Sequence, residues 1–223
     1  MKTITIVIPA YNEEARLGET LQAVNELDNI TKIIVINDGS TDKTADTARK
    51  YNVELIDLDK NLGKGGAMNA SLPYLDTDII VFLDADLGSS AREAGKIIRP
   101  LLEEKADLSI AAFPPPTRKG GFGLVKGTAA RAIKKAGAME VTAPLSGQRA
   151  MTKEVLKAIT PFSEAYGVEL AMTIKALKQG FKVVEVPTMM KHNETGRDLS
   201  GFLHRGQQFK DVLKVIIKER GRK

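Results

Sequence analysis

The apolar run Ile79-Ile80-Val81-Phe82-Leu83 ends abruptly in Asp84-Ala85-Asp86. Two carboxylates one residue apart at the end of a buried strand are hard oxygen ligands. They suit Mg²⁺ or Mn²⁺ that also holds a diphosphate. If the chain stays extended through them, strand alternation aims both side chains the same way. Open α/β sheets gather ligands at the carboxyl ends of their strands, where this pair stands. Alone, the pair reads equally well as a solvated acidic turn that caps the next helix.

Three more segments carry chemistry. Pro9-Ala10-Tyr11-Asn12-Glu13-Glu14 follows the strand pattern Thr3-Ile4-Thr5-Ile6-Val7-Ile8. Asn37-Asp38-Gly39-Ser40 follows Lys32-Ile33-Ile34-Val35-Ile36; by itself it is a turn and a helix cap. Asn61-Leu62-Gly63-Lys64-Gly65-Gly66-Ala67 opens a helix. Its glycines permit close backbone approach, and a helix N-terminus with a lysine attracts phosphate. The spacing matches neither the Walker nor the Rossmann pattern.

All four segments, in this order within roughly the first ninety residues, resemble the family 2 glycosyltransferases, nucleotide-sugar-dependent enzymes of GT-A fold. The resemblance implies a nucleotide-sugar site made by Pro9, Ala10, Tyr11, Glu13, Asp38, Lys64 and Asp84. Tyr11 would stack on the base, Glu13 would accept from the ribose, and Asp38 from the base. A carboxylate there suits the ring N–H of uracil or guanine, hence a UDP- or GDP-sugar. Asp86 is the stronger metal ligand, with Asp84 sharing the ribose and His192 as a third ligand. The cofactor implied is Mg²⁺ or Mn²⁺.

In the second half, Ser146-Gly147-Gln148-Arg149-Ala150, Glu169 and Thr195-Gly196-Arg197 are similar, more loosely, to the subgroup that glycosylates polyprenyl phosphates. There a phenylalanine stands in place of Gln148. The likeness implies Ser146 and Arg149 at the acceptor and Arg197 clamping the diphosphate or the acceptor phosphate. Glu169 joins Asp86 as a catalytic residue, in the role of base, with Glu164 as the fallback. An acceptor phosphate is already ionised and needs no base, in which case Glu169 only positions groups.

These residues need a scaffold. Strand signals lie at 3–8, 32–37, 53–57, 78–83 and 107–112, with a later strand-like run at 181–187. Helical spacing appears in Leu17, Leu21 and Val24, and Ser90 with Glu93 forms a capping box ahead of Ile97, Ile98, Leu101 and Leu102. The alternation implies an α/β fold: one domain over 1–223 with a mostly parallel, doubly wound sheet. The expected division is a nucleotide-sugar half at 1–112, an acceptor half at 113–201 and a basic amphipathic helix at 202–223. That helix would gather Phe202, Phe209, Val212, Leu213 and Ile216 on one face, packed on the domain or laid on an anionic membrane. The proline- and glycine-rich stretch 113–123 reads as a long loop.

Composition narrows the partners. Absence of cysteine excludes thiol chemistry and thiolate metal sites. A net charge of +5 favours anionic partners: nucleoside diphosphates, phosphorylated acceptors or a membrane surface. Nucleic acid is not expected, with aromatics at 5% and no binding motif. No charged-then-apolar leader opens the chain and no stretch is long enough to span a bilayer, so the expected location is cytoplasmic, with peripheral contact at the inner face. Three readings follow: an inverting transferase with a polyprenyl-phosphate acceptor; a retaining enzyme like the glucosyl-3-phosphoglycerate synthases with a soluble phosphorylated acceptor; and a non-catalytic nucleotide-sugar sensor. A nucleotidyltransferase is disfavoured, because Ile8-Pro9-Ala10-Tyr11 replaces the glycine-rich, arginine-containing first loop.

Overall fold

The computed structural model describes residues 1–114, 124–137, 139–163, 167–191 and 212–219. Strands and helices alternate: β1 (Ile4–Ala10), α1 (Leu17–Asn25), β2 (Lys32–Asn37), α2 (Thr44–Ala48), β3 (Glu54–Asp57), α3 (Gly63–Ser71), β4 (Ile79–Phe82), α4 (Ala94–Leu102), β5 (Leu108–Ala112) and α5 (Leu124–Gly137). Then follow β6 (Arg149–Thr152), α6 (Lys153–Ile159), α7 (Val168–Lys178) and β7 (Val183–Pro187). A last helix, α8, spans 212–219. The expected strands at 32–37, 53–57, 78–83 and 107–112 are present to within a residue; β1 and β7 differ by two at one end.

The described strands form one seven-stranded sheet in the order β3-β2-β1-β4-β6-β5-β7. All pairings are parallel except the two that β6 makes, with β4 and β5. The fold is therefore α/β with a mostly parallel sheet. Side chains alternate across it. Ile4, Ile6 and Ile8 with Ile79 and Val81 face α1 and α4, whereas Val7, Ile80 and Phe82 face α3, α6 and α7. Both faces are covered, which is why these strands read as continuous apolar runs.

The strand order turns back between β1 and β4. From β1 the chain winds outward through β2 and β3, then returns to add β4 on the other side. A crevice opens at such a point because the flanking connections depart in opposite directions.

Three expectations change. The capping box does not form. Residues Gly88–Glu93 make a 3₁₀ turn, in which Ser90 Oγ donates to Leu87 O at 2.6 Å. Glu93 instead accepts from Lys96 and from the Met189 amide at 2.8 Å. The segment leaving β7 has recruited both side chains, since Lys191 N donates to Ser90 Oγ at 3.0 Å. Second, β6 was not foreseen as a strand. Third, the face of α8 differs from the expected one. Val212, Val215, Ile216 and Glu219 are buried, the first three among Ala129, Ile133, Leu170 and Ile174, while Leu213 is exposed. Spacing of three and four residues from Val212 selects positions 215, 216 and 219, not 213. Phe202 and Phe209 lie outside the described residues, as does most of the loop at 113–123. Among the described residues no helix is long and apolar enough to cross a membrane.

Candidate active site

The crevice between β1 and β4 is a cavity of about 370 Å³. Pro9, Ala10, Tyr11 and Glu13 line it from the end of β1, and Asp38 from the end of β2. Asn61, Gly63 and Lys64 enter from the start of α3, and Asp84, Ala85 and Asp86 from beyond β4. Every residue expected in the nucleotide-sugar site stands here except Arg197, which lies outside the described residues. His192 and Glu164 also lie outside them.

Asp84 and Asp86 share the cavity, but not by strand alternation. β4 ends at Phe82, and Ala85-Asp86 is a turn. The turn leaves Asp84 and Asp86 half-buried on either side of buried Ala85. Among the described residues no group of three or more His, Cys, Asp or Glu side chains could hold an ion. A divalent cation here would rest on two carboxylates and on oxygens of whatever it binds. The electrostatics fit such a guest. The Glu13 carboxyl is held above its usual range, by burial first and then by the charge of Asp86, with Asp42 and Asp84 adding and Arg16 opposing. A cation would relieve that crowding of negative charge.

Asp38 is buried yet lines the cavity. Its Oδ1 accepts the Leu62 amide at 2.7 Å, tying the approach to α3 to the end of β2. Its other oxygen has no protein partner among the described residues. The first amide of α2, that of Thr44, donates instead to Asp42 at 2.9 Å. Tyr11 is 47% exposed at the rim, open for a flat ring to stack.

Lys64 links the segment after β4 to α7. Its Nζ meets Asp84 Oδ1 at 2.5 Å and Glu169 Oε1 at 3.0 Å. Burial works against its charge, but Asp84 and then Glu169 outweigh it, so the ammonium is held above the usual lysine value. Gln148 Nε2 donates to Asp84 Oδ2 at 2.7 Å, so both oxygens of Asp84 have partners. The amide is oriented by chemistry, because a carboxylate accepts only from the NH₂ side. Gly147 lies against this group. A Cβ there would stand 2.8 and 2.9 Å from the Asp84 oxygens and in contact with Lys64 Nζ. Gly147 and Gln148 belong to the Ser146–Ala150 motif, Gln148 in place of a phenylalanine, but no local pattern announces these contacts.

Ser146 and Arg149, expected at the acceptor, are both buried. Arg149 is fully buried at the start of β6, paired in register with Phe82 and Ile110. Its Nε donates to Ser146 O at 2.8 Å and its Nη1 to Thr173 Oγ1 at 2.7 Å. Burial lowers its pKa to about 10, against the pull of Glu169 and Glu185. Among the described residues Nη2 has no partner, and neither do the buried Ser146 Oγ and Gln148 Oε1. Arg149 and Ser146 therefore stand behind the Asp84–Lys64 pair and do not line the cavity.

Comparison with known proteins agrees with this architecture. The family model for glycosyl transferase family 2 matches residues 5–156. The chain is 31% identical to the uncharacterized protein MJ1222 of Methanocaldococcus jannaschii, covering 97% of this chain and 92% of that protein. It is 27% identical to the glycosyltransferase AglJ of Haloferax volcanii over 87% of this chain and 65% of that one. A 4,4'-diaponeurosporenoate glycosyltransferase of Staphylococcus aureus is 38% identical over 50% of the chain but only 32% of its own length. Among solved structures, glucosyl-3-phosphoglycerate synthase from Mycobacterium tuberculosis with Mn²⁺, UDP and glucosyl-3-phosphoglycerate superposes with a TM-score of 0.78 at 25% identity, covering 99% of this chain and 80% of that one. The same enzyme with Mg²⁺ and UDP gives 0.80. The matched stretch carries both the paired aspartates and the glycine–lysine helix start, and the chain belongs to glycosyl transferase family 2, as a glycosyltransferase.

Proposed function

We propose that the chain transfers a sugar from a UDP- or GDP-sugar, with Mg²⁺ or Mn²⁺, to a phosphorylated acceptor. The observation that carries this is the convergence of Tyr11, Glu13, Asp38, Lys64, Asp84 and Asp86 on one cavity at the turning point of the sheet. Tyr11 stacks on the base while the unpartnered oxygen of Asp38 accepts its ring N–H. Glu13 takes ribose hydroxyls. Asp86 is the principal metal ligand; a bound cation would neutralise the departing diphosphate. Lys64, held charged between Asp84 and Glu169, adds a cation at the same end. His192 is the proposed third ligand. Lys191, just before it, is bonded to Ser90, four positions from Asp86. Arg197 is proposed to clamp phosphate bidentately.

The state of Glu169 bears on the acceptor. Its carboxylate is nearly buried, is paired with Lys64 and does not line the cavity. An acceptor phosphate brings its own negative oxygen and asks for no base. The mycobacterial synthase, solved also with phosphoglyceric acid, favours a small phosphorylated acceptor. Ser146 and Arg149 then shape the acceptor side from behind. The second reading, a polyprenyl phosphate, is favoured by α8, where Leu213 and Ile217 are exposed beside Lys214 and Lys218. UDP-glucose and Mn²⁺, offered with 3-phosphoglycerate or with a short polyprenyl phosphate, separate the two. Product with retained anomeric configuration on the soluble acceptor supports the first; transfer only to the lipid supports the second. No transfer and no UDP binding would reject both.

A further inference from the structure

Both carboxylates of the Asp84-Ala85-Asp86 segment reach the cavity although the strand has ended, so something other than alternation directs them. Asp84 is held by Lys64 and Gln148, and beside Asp86 lies α1. Thr20 is fully buried there, with its hydroxyl against the turn. Oγ1 lies 2.7 Å from Ala85 O and accepts the Gly88 amide at 2.8 Å. A third contact, to Arg16 O at 3.3 Å, is the weaker bond a threonine makes to its own preceding helical turn. One proton and two lone pairs thus serve both sides of Asp86-Leu87. Ala85, Leu87 and Gly88 are buried around the clasp, and only Asp86 emerges from it. Gly88 lets the helix come this close. Its φ is +53°, and a Cβ would stand 2.8 Å from Glu19 Oε2. For helix packing alone a valine would serve, since it has the same shape and no polar atom to satisfy.

We infer that Thr20 is a positioning residue of the reaction: its hydroxyl fixes the backbone on both sides of Asp86 and so aims that carboxylate at the cation and diphosphate. The inference rests on Asp86 being the metal ligand. Outer partners that orient a metal ligand typically change metal affinity about 10–100-fold when removed.

The test is calorimetric titration with UDP, in Mn²⁺ and in EDTA, of the wild type and of T20V, T20A, T20S and D86A. Thr20→Val and Thr20→Ala should lose about tenfold or more of the affinity gained from Mn²⁺, with UDP binding in EDTA changed less than about twofold. Thr20→Ser, which keeps the hydroxyl, should stay within about threefold of wild type. A folded T20V or T20A with the full metal effect overturns the inference, provided that D86A abolishes it. If D86A keeps the metal effect, the reading of Asp86 fails and the role of Thr20 falls with it. Should neither hydroxyl-free variant fold, hydrogen exchange of the Gly88 amide in the wild type decides. Protection supports the clasp, and exchange at the rate of an unbonded amide overturns it.

Discussion

The two walls of the cavity are built differently. On the β1–β2–β4 side, side chains open onto the cavity: Tyr11 is half exposed, and Glu13, Asp84 and Asp86 are part-buried. On the β6–α7 side, polar groups are sealed in. Ser146, Gln148, Arg149 and Glu169 are all buried, and three of them keep an atom with no partner among the described residues. Lys64 and Asp84 join the walls. Buried, incompletely bonded polar groups cost stability, so a fold carries them where geometry matters more. The first wall is built to touch; the second is built to hold what touches.

The largest effect should come from pushing one wall into the other. Gly147→Ala places a methyl group on the Asp84 carboxylate and the Lys64 ammonium, and at least one of them must shift. A displacement of this size can cost about 100-fold in rate, so kcat/KM should fall about 100-fold or more while the protein still folds. Activity within about threefold of wild type would mean that the Lys64–Asp84 contact is incidental.

Arg149→Met separates holding from stabilising. Methionine removes a buried charge whose burial already lowers this guanidinium's pKa to about 10, but it leaves the Ser146 carbonyl without its donor, at about 1–3 kcal/mol. Stability should therefore fall by no more than about 3 kcal/mol, while kcat falls about tenfold or more. Equal losses of stability and activity would make the second wall an ordinary core.

A smaller effect tests the first wall. Adenine has no ring N–H to give Asp38, and a buried carboxylate left without its donor costs about 1–3 kcal/mol. UDP should accordingly bind about tenfold or more tighter than ADP, and Asp38→Asn should narrow that ratio. Comparable affinities in the wild type would remove base reading from Asp38.

The smallest effect is a proton. Glu13 is raised by burial and by Asp86, so it keeps its proton to a higher pH than a free glutamate. A cation between Asp84 and Asp86 favours the ionised form. Binding UDP with Mn²⁺ at a pH where Glu13 still keeps part of its proton should therefore release some of it, and the release should vanish at higher pH and in Glu13→Gln. Calorimetry in two buffers of different ionisation enthalpy measures it.

Legibility in the sequence divides along the same line. β1, β2 and β4 are continuous apolar runs buried on both faces, and each ends in the residues that line the cavity. The stripe Leu17, Leu21 and Val24 is buried as its spacing implies. The second wall left no such trace. β6 begins with a buried arginine and runs antiparallel between β4 and β5, so neither apolar continuity nor alternation marks it. The capping box at Ser90 and Glu93 failed because the segment leaving β7, about a hundred residues away in sequence, claims both side chains. Thr20 falls on the buried stripe of α1, where its hydroxyl is the only local sign of a task. Contacts made across the sheet depend on the finished topology, and a local pattern does not contain them.

The central claim is that the cavity binds a nucleoside diphosphate through a cation held at Asp84 and Asp86. Titration of the wild-type protein with UDP, in Mn²⁺ and then in EDTA, tests it most directly. The account predicts saturable one-to-one binding that is at least about tenfold tighter with the metal. Equal affinity in Mn²⁺ and EDTA, or no binding in either, would contradict it.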